Sequence, residues 1–361
     1  MNRREFVSAA ALAAAVPSGA AAQRAPRKRA LMKLGCQSSP TSDQRLQFFK
    51  RHSVNNICGY AEEAPGRLYH TVEELSRLRE RCEKHGVSLD LIAPPFLASS
   101  HIDRTEHPSI MLGQSPQRDR DIEHLQILIR NCAKVGVPAI KYNMSLLGVL
   151  RTERTPGRGG STYSTWRLRD AKPATPLTRA GKVTADIYWE RITYFLERII
   201  PVAAENKIRM ACHPHDPGVP PEGYQGVDAV LGTVDGLKKF LSIKESPYHG
   251  LNFCQGTVSE MLQDPGKEIF DVIRYFGSRK KIFNVHFRNI RGKRDSFQEV
   301  YPDEGDIDFA RAMMVYKEVE YPYMMMPDHV PNHPDDPRGS QAFAFAYGYI
   351  RALIQAVDAM G

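Results

Sequence analysis

The fold of this chain is decided by Ile208-Arg209-Met210-Ala211-Cys212, an apolar run that leads directly into His213, and by three later runs of the same design. Each of the four runs has the length of a buried strand and ends on a residue that can bind a metal ion. The later three are Gly250-Leu251-Asn252-Phe253 before Cys254, Ile282-Phe283-Asn284-Val285 before His286, and Tyr323-Met324-Met325-Met326-Pro327 before Asp328.

The four end residues are regularly spaced, with gaps of 41, 32 and 42 positions. Each gap is about the length of one strand, one helix and two loops, which is the repeat of a parallel α/β barrel. Upstream of these runs the chain contains four more strand signals that alternate with helical patterns. We therefore predict a single (β/α)8 TIM-barrel catalytic domain over residues 30–361, with long loops after strands three, four and eight.

The barrel prediction brings the four end residues together. Parallel strands in a barrel point the same way, so residues at their carboxyl ends meet at one mouth, where barrel enzymes keep their active sites. Two imidazoles, one thiolate and one carboxylate there would form a first-row metal site made by His213, Cys254, His286 and Asp328. These ligand types suit Zn, Fe or Mn, and the carboxylate favours the harder ions.

Composition narrows the classes of partner. The chain is 42% apolar and 25% charged and has a formal charge of +8. We predict no stable membrane insertion, because no run after the N-terminal segment is long and apolar enough to span a bilayer. We also predict no nucleic-acid partner, because basic residues do not form a tail or a basic helix with aromatic residues among them. An anionic small molecule is the partner that a basic protein of this kind favours.

The first 29 residues are typical of a twin-arginine signal peptide followed by a linker. Arg3 and Arg4 precede the apolar segment 7–16, and small residues at 20–22 offer a cleavage site. We predict a periplasmic protein that is exported folded, with its metal loaded beforehand. Six cysteines are scattered without a tight framework, so we expect no structural disulfide.

The longest insertion, residues 146–183, follows the fourth strand and is rich in Arg, Gly, Thr and Pro. Because a loop after a strand's carboxyl end lies at the barrel mouth, we interpret it as a lid over the site. A solvated loop or one that contacts a second subunit is the alternative, and its length makes a homodimer plausible.

Residues beside the four end residues are candidates for substrate binding and catalysis. His215 and Asp216 can orient ligands or substrate, or can belong to a Pro-bounded turn. Arg288 and Asn289 follow His286, and strand alternation places Arg288 on the same side, where its guanidinium could bind a substrate carboxylate or form a salt bridge at the rim. His329 follows Asp328 and suits proton transfer near neutrality.

A metal, an arginine and a histidine together suggest proton abstraction next to a carboxylate, with the developing enediolate stabilised electrostatically. In a polyhydroxy acid the resulting carbanion expels the β-hydroxyl group. The predicted outcome is dehydration of a small anionic sugar acid.

Several ordered segments resemble the mannonate dehydratase family over about residues 31–356. These segments are His213-Pro214-His215-Asp216-Pro217, Leu251 to Thr257, Val285-His286-Phe287-Arg288-Asn289, Ser296-Phe297-Gln298-Glu299 and Pro327-Asp328-His329, with Tyr142-Asn143 and Asp303-Glu304-Gly305 adding to the likeness.

The resemblance implies a xylose isomerase-like barrel and one Mn²⁺ or Fe²⁺, with Zn²⁺ less favoured, on the four end residues. It implies conversion of D-mannonate to 2-keto-3-deoxy-D-gluconate, with His329 as a proton-transfer residue and Asn143 among the substrate-binding residues. The sequence departs from the family pattern at His215, at Gln298 and between 330 and 346, where the family's catalytic Tyr is missing.

Three other functions stay open at this point. An isomerase or epimerase of the xylose isomerase-like group would use the same ion to move a proton between neighbouring carbons of a periplasmic sugar or sugar acid. A binding protein would capture a sugar acid without turnover. A metal-dependent phosphodiesterase would need a multinuclear site richer in His and Glu.

Overall fold

The computed structural model describes residues 28–171 and 176–360. The predicted signal peptide therefore lies almost entirely outside the described residues. Twelve strands are present in the described part: β1 (Lys33–Gln37), β2 (Asn56–Gly59), β3 (Ser88–Ile92), β4 (Ala139–Asn143), β5 (Glu153–Pro156), β6 (Thr162–Arg167), β7 (Arg209–His213), β8 (His249–Cys254), β9 (Ile282–His286), β10 (Ile290–Lys293), β11 (Ser296–Glu299) and β12 (Met324–Met326). Ten α-helices accompany them: α1 (Asp43–Arg51), α2 (Val72–Lys84), α3 (Ser109–Leu112), α4 (Gln117–Val135), α5 (Ala185–Glu205), α6 (Val234–Ile243), α7 (Gln255–Ser259), α8 (Pro265–Ser278), α9 (Phe309–Glu318) and α10 (Ser340–Ala359).

Eight of the strands close into a parallel barrel in the order β1-β12-β9-β8-β7-β4-β3-β2. This confirms the predicted (β/α)8 fold. The helix boundaries follow local sequence signals. At the start of α2, for example, the Thr71 hydroxyl accepts from the Glu74 amide while the Glu74 carboxylate accepts from the Thr71 amide. This capping box satisfies amides that the first turn leaves without partners.

The core lies in two layers. The larger layer packs the outward faces of the barrel strands against the helices, as shown by the fully buried Tyr142 on β4 and Phe195 on α5, whose ring centroids are 5.6 Å apart. The smaller layer fills the lower part of the barrel interior with Cys58, Leu91, Ala139, Met324 and Met326. Since apolar side chains close this interior, polar chemistry is confined to the mouth at the carboxyl ends of the strands.

The insertion after β4 is more ordered than a loop. Residues within 146–183 form β5 and β6, which pair with the β10–β11 hairpin in an antiparallel sheet of order β10-β11-β6-β5. Phe297 lies opposite Trp166 in the register, and both are buried. The prediction of one continuous loop is corrected, because strand pairing with a second, distant insertion satisfies its backbone groups. We call these four strands the mouth sheet.

Two local features of the structure concern short segments. The chain between β8 and β9 forms two helices, α7 and α8, with Asp264 and Pro265 at the start of the second helix. The β10–β11 hairpin was not expected, since its two strands are only four residues long. No helix in the described ranges is long and apolar enough to span a membrane.

Candidate metal centre and substrate pocket

The barrel brings the four predicted ligand residues into one cluster. His213, Cys254 and His286 are the last residues of β7, β8 and β9, and Asp328 lies two positions beyond β12. All four are buried, and their potential ligand atoms lie within 4.8 Å of one another. We call this group the ligand cluster; it forms the candidate metal centre.

The two histidines of the ligand cluster are held by neighbouring polar groups. His213 Nδ1 lies 2.7 Å from the Pro214 carbonyl oxygen, to which it can donate, and this leaves Nε2 with a free lone pair. His286 Nε2 lies 3.3 Å from Asn252 Nδ2, while its buried Nδ1 lies 3.2 Å from Asp328 Oδ1 and has no hydrogen-bond partner. A bound cation would satisfy ring nitrogens oriented in this way.

Cys254 lies in a setting rich in hydrogen-bond donors. The Thr257 amide and hydroxyl lie 3.4 and 3.1 Å from its Sγ atom, and Arg288 Nη2 lies 3.6 Å away. Asp328 Oδ2 is 3.6 Å from the same sulfur. Nitrogen, sulfur and carboxylate donors of this kind fit one divalent first-row ion. The donor set therefore agrees with the predicted site.

Behind the ligand cluster lies a compact group of charges, which we call the ion network. Arg288 Nη1 lies 2.6 Å from Glu299 Oε1 and 2.8 Å from Glu260 Oε1, and Arg288 Nη2 lies 3.2 Å from Asp216 Oδ2. Arg151, from the insertion after β4, pairs with Asp216 at 2.7 Å and also with Glu299. The ion network thus joins the mouth sheet to the strand ends that carry the ligands.

The carboxyl groups of the ion network have very different proton affinities. Burial raises the pKa of Glu299, but Arg288, His329 and Arg151 lower it more strongly, so that the pKa lies at about 2. Burial likewise opposes ionisation of Asp216, yet Arg151 and Arg288 hold its pKa well below the ordinary range. For Glu260, burial and the nearby Asp216 raise the pKa well above the usual value. Glu260 is therefore the member of the network that favours the protonated form.

His329 lies between the ion network and the ligand cluster. Its Nδ1 is 3.0 Å from Glu299 Oε2, and its Nε2 is 3.7 Å from Asp328 Oδ2. Burial lowers the pKa of His329, but Asp328 and Glu299 raise it more strongly, to about 10. Glu299 therefore orients the imidazole and fixes Nδ1 as the nitrogen that carries a proton.

An inner pocket of about 80 Å³ opens beside the ligand cluster. Its walls carry His213, His286, Asp328 and His329 on one side, and Gln37, Ser99, Lys141, Asn143, Ser145 and Asp216 among the rest. An outer pocket of about 400 Å³ adjoins it, and His329 and Asp328 line both. The structure thus places Asn143, Asp216 and His329 at the pocket, where the sequence predicted them.

Three predicted site residues lie elsewhere, and their expected contacts are corrected. The Arg288 side chain is 1% exposed and bound by carboxylates, so the direct contact with a substrate carboxylate has no opening. Asn289 donates to the carbonyls of Pro302 and Ile307 and accepts from two backbone amides, which makes it a brace for the following loop.

His215 also points away from the pocket. Its Nε2 lies 2.7 Å from the Met144 carbonyl and 3.1 Å from the Tyr188 hydroxyl, and its Nδ1 accepts from the Leu231 amide. Burial lowers the pKa of His215 to about 4, so it is a neutral structural residue. The departure from the family pattern at His215 therefore affects the packing of the segment after β7 against α5.

Sequence reasoning missed four residues of the site: Arg151, Glu260, Glu299 and Lys141. A signal existed for Lys141, because it lies two positions before Asn143 and strand alternation places both side chains on one face. Glu299 ends one of the segments that carry the family resemblance, but no pattern indicated its role, and Arg151 had no signal at all, because the two belong to separate insertions that meet only when the mouth sheet forms.

The tyrosines of α10 do not reach the pocket. The Tyr347 hydroxyl lies 2.7 Å from Cys36 Sγ and is buried, while Tyr349 packs near Phe309 and Phe345. All six cysteines are free. Among the pocket residues, His329 is therefore the group best placed to exchange a proton with a bound molecule.

Comparison with known proteins identifies the family. The family model described as D-mannonate dehydratase (UxuA) matches residues 164–361, which include every residue of the ligand cluster and His329. The chain belongs to the D-mannonate dehydratase family. The family's segment contains most of the ion network, but Arg151 lies before the matched residues.

Curated family members align over most of their length. The mannonate dehydratase of Thermotoga petrophila is 28% identical over 313 residues, covering 76% of this chain and 82% of that protein. Mannonate dehydratase 2 of Halalkalibacterium halodurans is 27% identical over 290 residues, covering 71% of this chain and 78% of that protein.

Solved structures agree on the fold. A mannonate dehydratase from Streptococcus suis serotype 2 superposes with a TM-score of 0.76 at 22% identity, covering 90% of this chain and 95% of that one. A xylose isomerase domain protein from Planctomyces limnophilus gives a TM-score of 0.58 at 15% identity, covering 91% of this chain and 98% of that one. The barrel is therefore xylose isomerase-like, as predicted.

Proposed function

We propose that this chain is a metal-dependent hydro-lyase that dehydrates a sugar acid, with D-mannonate as the substrate and 2-keto-3-deoxy-D-gluconate as the product. The observation that carries the proposal is His329, oriented by Glu299 and facing the same pocket as the ligand cluster in a chain of the D-mannonate dehydratase family. Family membership favours this reaction over the isomerase alternative.

His213, Cys254, His286 and Asp328 would hold one Mn²⁺ or Fe²⁺. When bound, the ion supplies Lewis acidity that stabilises negative charge developing on substrate oxygens. The carboxylate of Asp328 favours a harder divalent ion, whereas the sulfur of Cys254 makes the site more selective for transition metals than for Mg²⁺.

His329 would move the proton. Because Glu299 holds Nδ1, Nε2 is the atom that faces the ligand cluster. With the charge of Asp328 offset by a bound ion, the pKa of His329 would fall, and Nε2 in its neutral form could take the proton from the carbon next to the carboxylate. The same imidazole, once protonated, can deliver a proton to the departing β-hydroxyl. One residue would then serve both steps in a chain whose last barrel loop has no tyrosine.

The ion network would keep this geometry fixed during the reaction. Arg288 and Arg151 together hold Glu299, and Glu299 in turn holds His329. Since misplacing a proton-transfer group by about 1 Å can cost roughly 100-fold in rate, a buried support of this kind has a direct catalytic value.

The test is incubation of the metal-loaded protein with D-mannonate while the 2-keto-3-deoxy acid is measured. We expect product with the native protein, and loss of turnover of at least about 100-fold in His329→Asn with the metal content unchanged. His85→Asn, at the end of α2 and hydrogen-bonded to the exposed Asp43, is the matched control and should keep full activity.

Either of two results contradicts the proposal. Absence of product from a protein that holds one stoichiometric ion excludes D-mannonate as the substrate. Unchanged turnover in His329→Asn excludes His329 as the proton-transfer residue.

Location and assembly are further parts of the proposal. The paired arginines and apolar segment at the N-terminus support export by the twin-arginine route to the periplasm, with the metal already bound. A homodimer is proposed from the length of the insertion after β4. Detection of the mature protein in a periplasmic fraction and its mass in solution test these two statements.

A further inference from the structure

The pocket needs a cation for an acidic substrate, and Arg288 is not available for that purpose. Both ends of its guanidinium are engaged by carboxylates behind the ligand cluster. Arg151 lines the outer pocket but is likewise bound to Asp216 and Glu299. Two strongly paired arginines cannot bind a substrate carboxylate without breaking the ion network.

Lys141 lines the inner pocket, and within the described part of the chain no arginine lines it. It lies on β4 with its side chain on the same face as Asn143, and it shares the pocket wall with His213, Asp328 and His329. Its Nζ donates to Gln37 Oε1 and lies 5.7 Å from the centre of the Tyr60 ring. Within residues 28–171 and 176–360, no carboxylate oxygen lies within 4 Å of this ammonium group.

A cation in such a position is available to a ligand, because in the described part of the chain no ion pair within 4 Å has to be broken before it can bind a negative charge. Moving an ammonium group out of water is unfavourable unless a counter-ion or hydrogen bonds compensate, and Lys141 has a neutral amide and an aromatic ring as neighbours. Burial lowers the pKa of Lys141, but Cys58, Tyr60 and Asp328 raise it, and the balance lies above the ordinary value. Lys141 is therefore a fixed positive charge and a poor proton donor.

We propose that Lys141 binds the carboxylate of the sugar acid and so makes the inner pocket selective for acids over neutral sugars. Gln37 acts as its positioning residue, because it holds Nζ at the pocket wall from β1, three strands away in the barrel. This inference rests on the proposed function of the same site, and it adds the group that recognises the substrate's charge.

Two arginines of the outer pocket are the competing cations. Arg154 and Arg338 line that pocket, and neither has a carboxylate within 4 Å in the described part of the chain. Both are exposed to solvent, however, where an ion pair contributes about 0–1 kcal/mol. The less exposed Lys141, next to the ligand cluster, is the stronger partner for a carboxylate.

Binding is measured by calorimetry with metal-loaded protein carrying His329→Asn, so that turnover does not interfere. The probes are D-mannonate and D-mannonamide, which share the polyol chain but differ in charge. We expect the His329→Asn protein to prefer the acid, and added Lys141→Met to weaken binding of the acid about 30- to 100-fold while hardly changing binding of the amide.

Three variants serve as controls. Lys134→Met removes an exposed lysine from α4 and should leave both affinities unchanged. Lys141→Arg keeps the charge and should keep the preference for the acid. Arg154→Met should change the affinity for the acid less than about threefold. Metal content and melting temperature are measured for each, so that loss of the ion or of the fold is distinguished from loss of the contact with the carboxylate.

The outcomes separate this inference from the proposed function. Full affinity for the acid in Lys141→Met, or a large loss in Arg154→Met instead, overturns the role of Lys141 while turnover by the native protein still supports dehydration. Selective loss of acid binding in Lys141→Met supports Lys141 even if the native protein forms no keto-deoxy acid. If the His329→Asn protein binds neither probe, the inference is overturned. The proposed function is then tested only by turnover of D-mannonate by the native protein.

Discussion

Replacement of Arg288 by methionine is the most direct test of the ion network. The guanidinium lies 2.6 Å from Glu299, 2.8 Å from Glu260 and 3.2 Å from Asp216, and its side chain is 1% exposed. Removing one partner from a buried group of charges typically costs about 3–5 kcal/mol, since the remaining charges lose their compensation. Arg151 still pairs with Asp216 and Glu299 and lies 3.7 Å from Glu260, so we expect a loss at the lower end of this range, about 3 kcal/mol.

The assay is equilibrium unfolding in urea, followed by circular dichroism on metal-free protein. A loss of about 3 kcal/mol lowers the midpoint by roughly 1 M, given the size of the chain. Arg291→Met is the matched control, because Arg291 is exposed and lies 3.8 Å from Glu304, so its loss should cost no more than about 1 kcal/mol.

Arg288→Lys should fall between the native protein and Arg288→Met. Lysine keeps the charge but cannot replace a planar group that contacts three carboxylates. A loss below about 1 kcal/mol in Arg288→Met, equal to that of the Arg291 control, would refute the reasoning that this network is a buried and mutually dependent group.

Three other predictions concern the same region. The pKa of Glu299 falls from its ordinary value of 4.5 to about 2 in the folded protein, so its contribution to stability is complete above pH 4.5 and is lost as the pH falls toward 2. Glu299→Gln should therefore flatten that part of a profile of unfolding free energy against pH. An unchanged slope in this variant contradicts the assignment. Gly305→Ala should destabilise by about 1–3 kcal/mol in thermal unfolding, because the new Cβ would lie 2.0 Å from Asn289 Oδ1, and full stability would show that Asn289 is not a rigid brace. Cys254→Ala should lose bound Mn or Fe by elemental analysis, whereas Cys132→Ala, remote in α4, should retain it, and equal metal content in both excludes the thiolate as a ligand.

The barrel and the ligand cluster were predictable because they depend on local patterns. Four apolar runs identified strands, and ligand residues such as His213 and Cys254 are the last residues of their own strands. In a closed parallel barrel, such positions meet without any further information about packing. Sequence position and spatial position are therefore nearly equivalent for this part of the site.

The ion network could not be predicted in the same way. Arg151 and Glu299 are 148 residues apart, and they meet only because two insertions pair in the mouth sheet. The error for Arg288 has a related cause. Strand alternation gave the correct side of the strand, but it could not show that Glu260 and Glu299 already occupy the guanidinium.

The order of the mouth-sheet strands and the ligands along the chain also determines when the metal site can form during synthesis. The strands of the mouth sheet come from residues 153–167 and 290–299, and the last ligand, Asp328, stands 33 residues before the C-terminus. Since a nascent chain emerges from its N-terminus, no partial chain that ends before Asp328 can present the complete ligand cluster. Metal capture by the complete cluster therefore has to wait until Asp328 has been synthesised, and shorter products of translation would be unable to sequester the ion in this way.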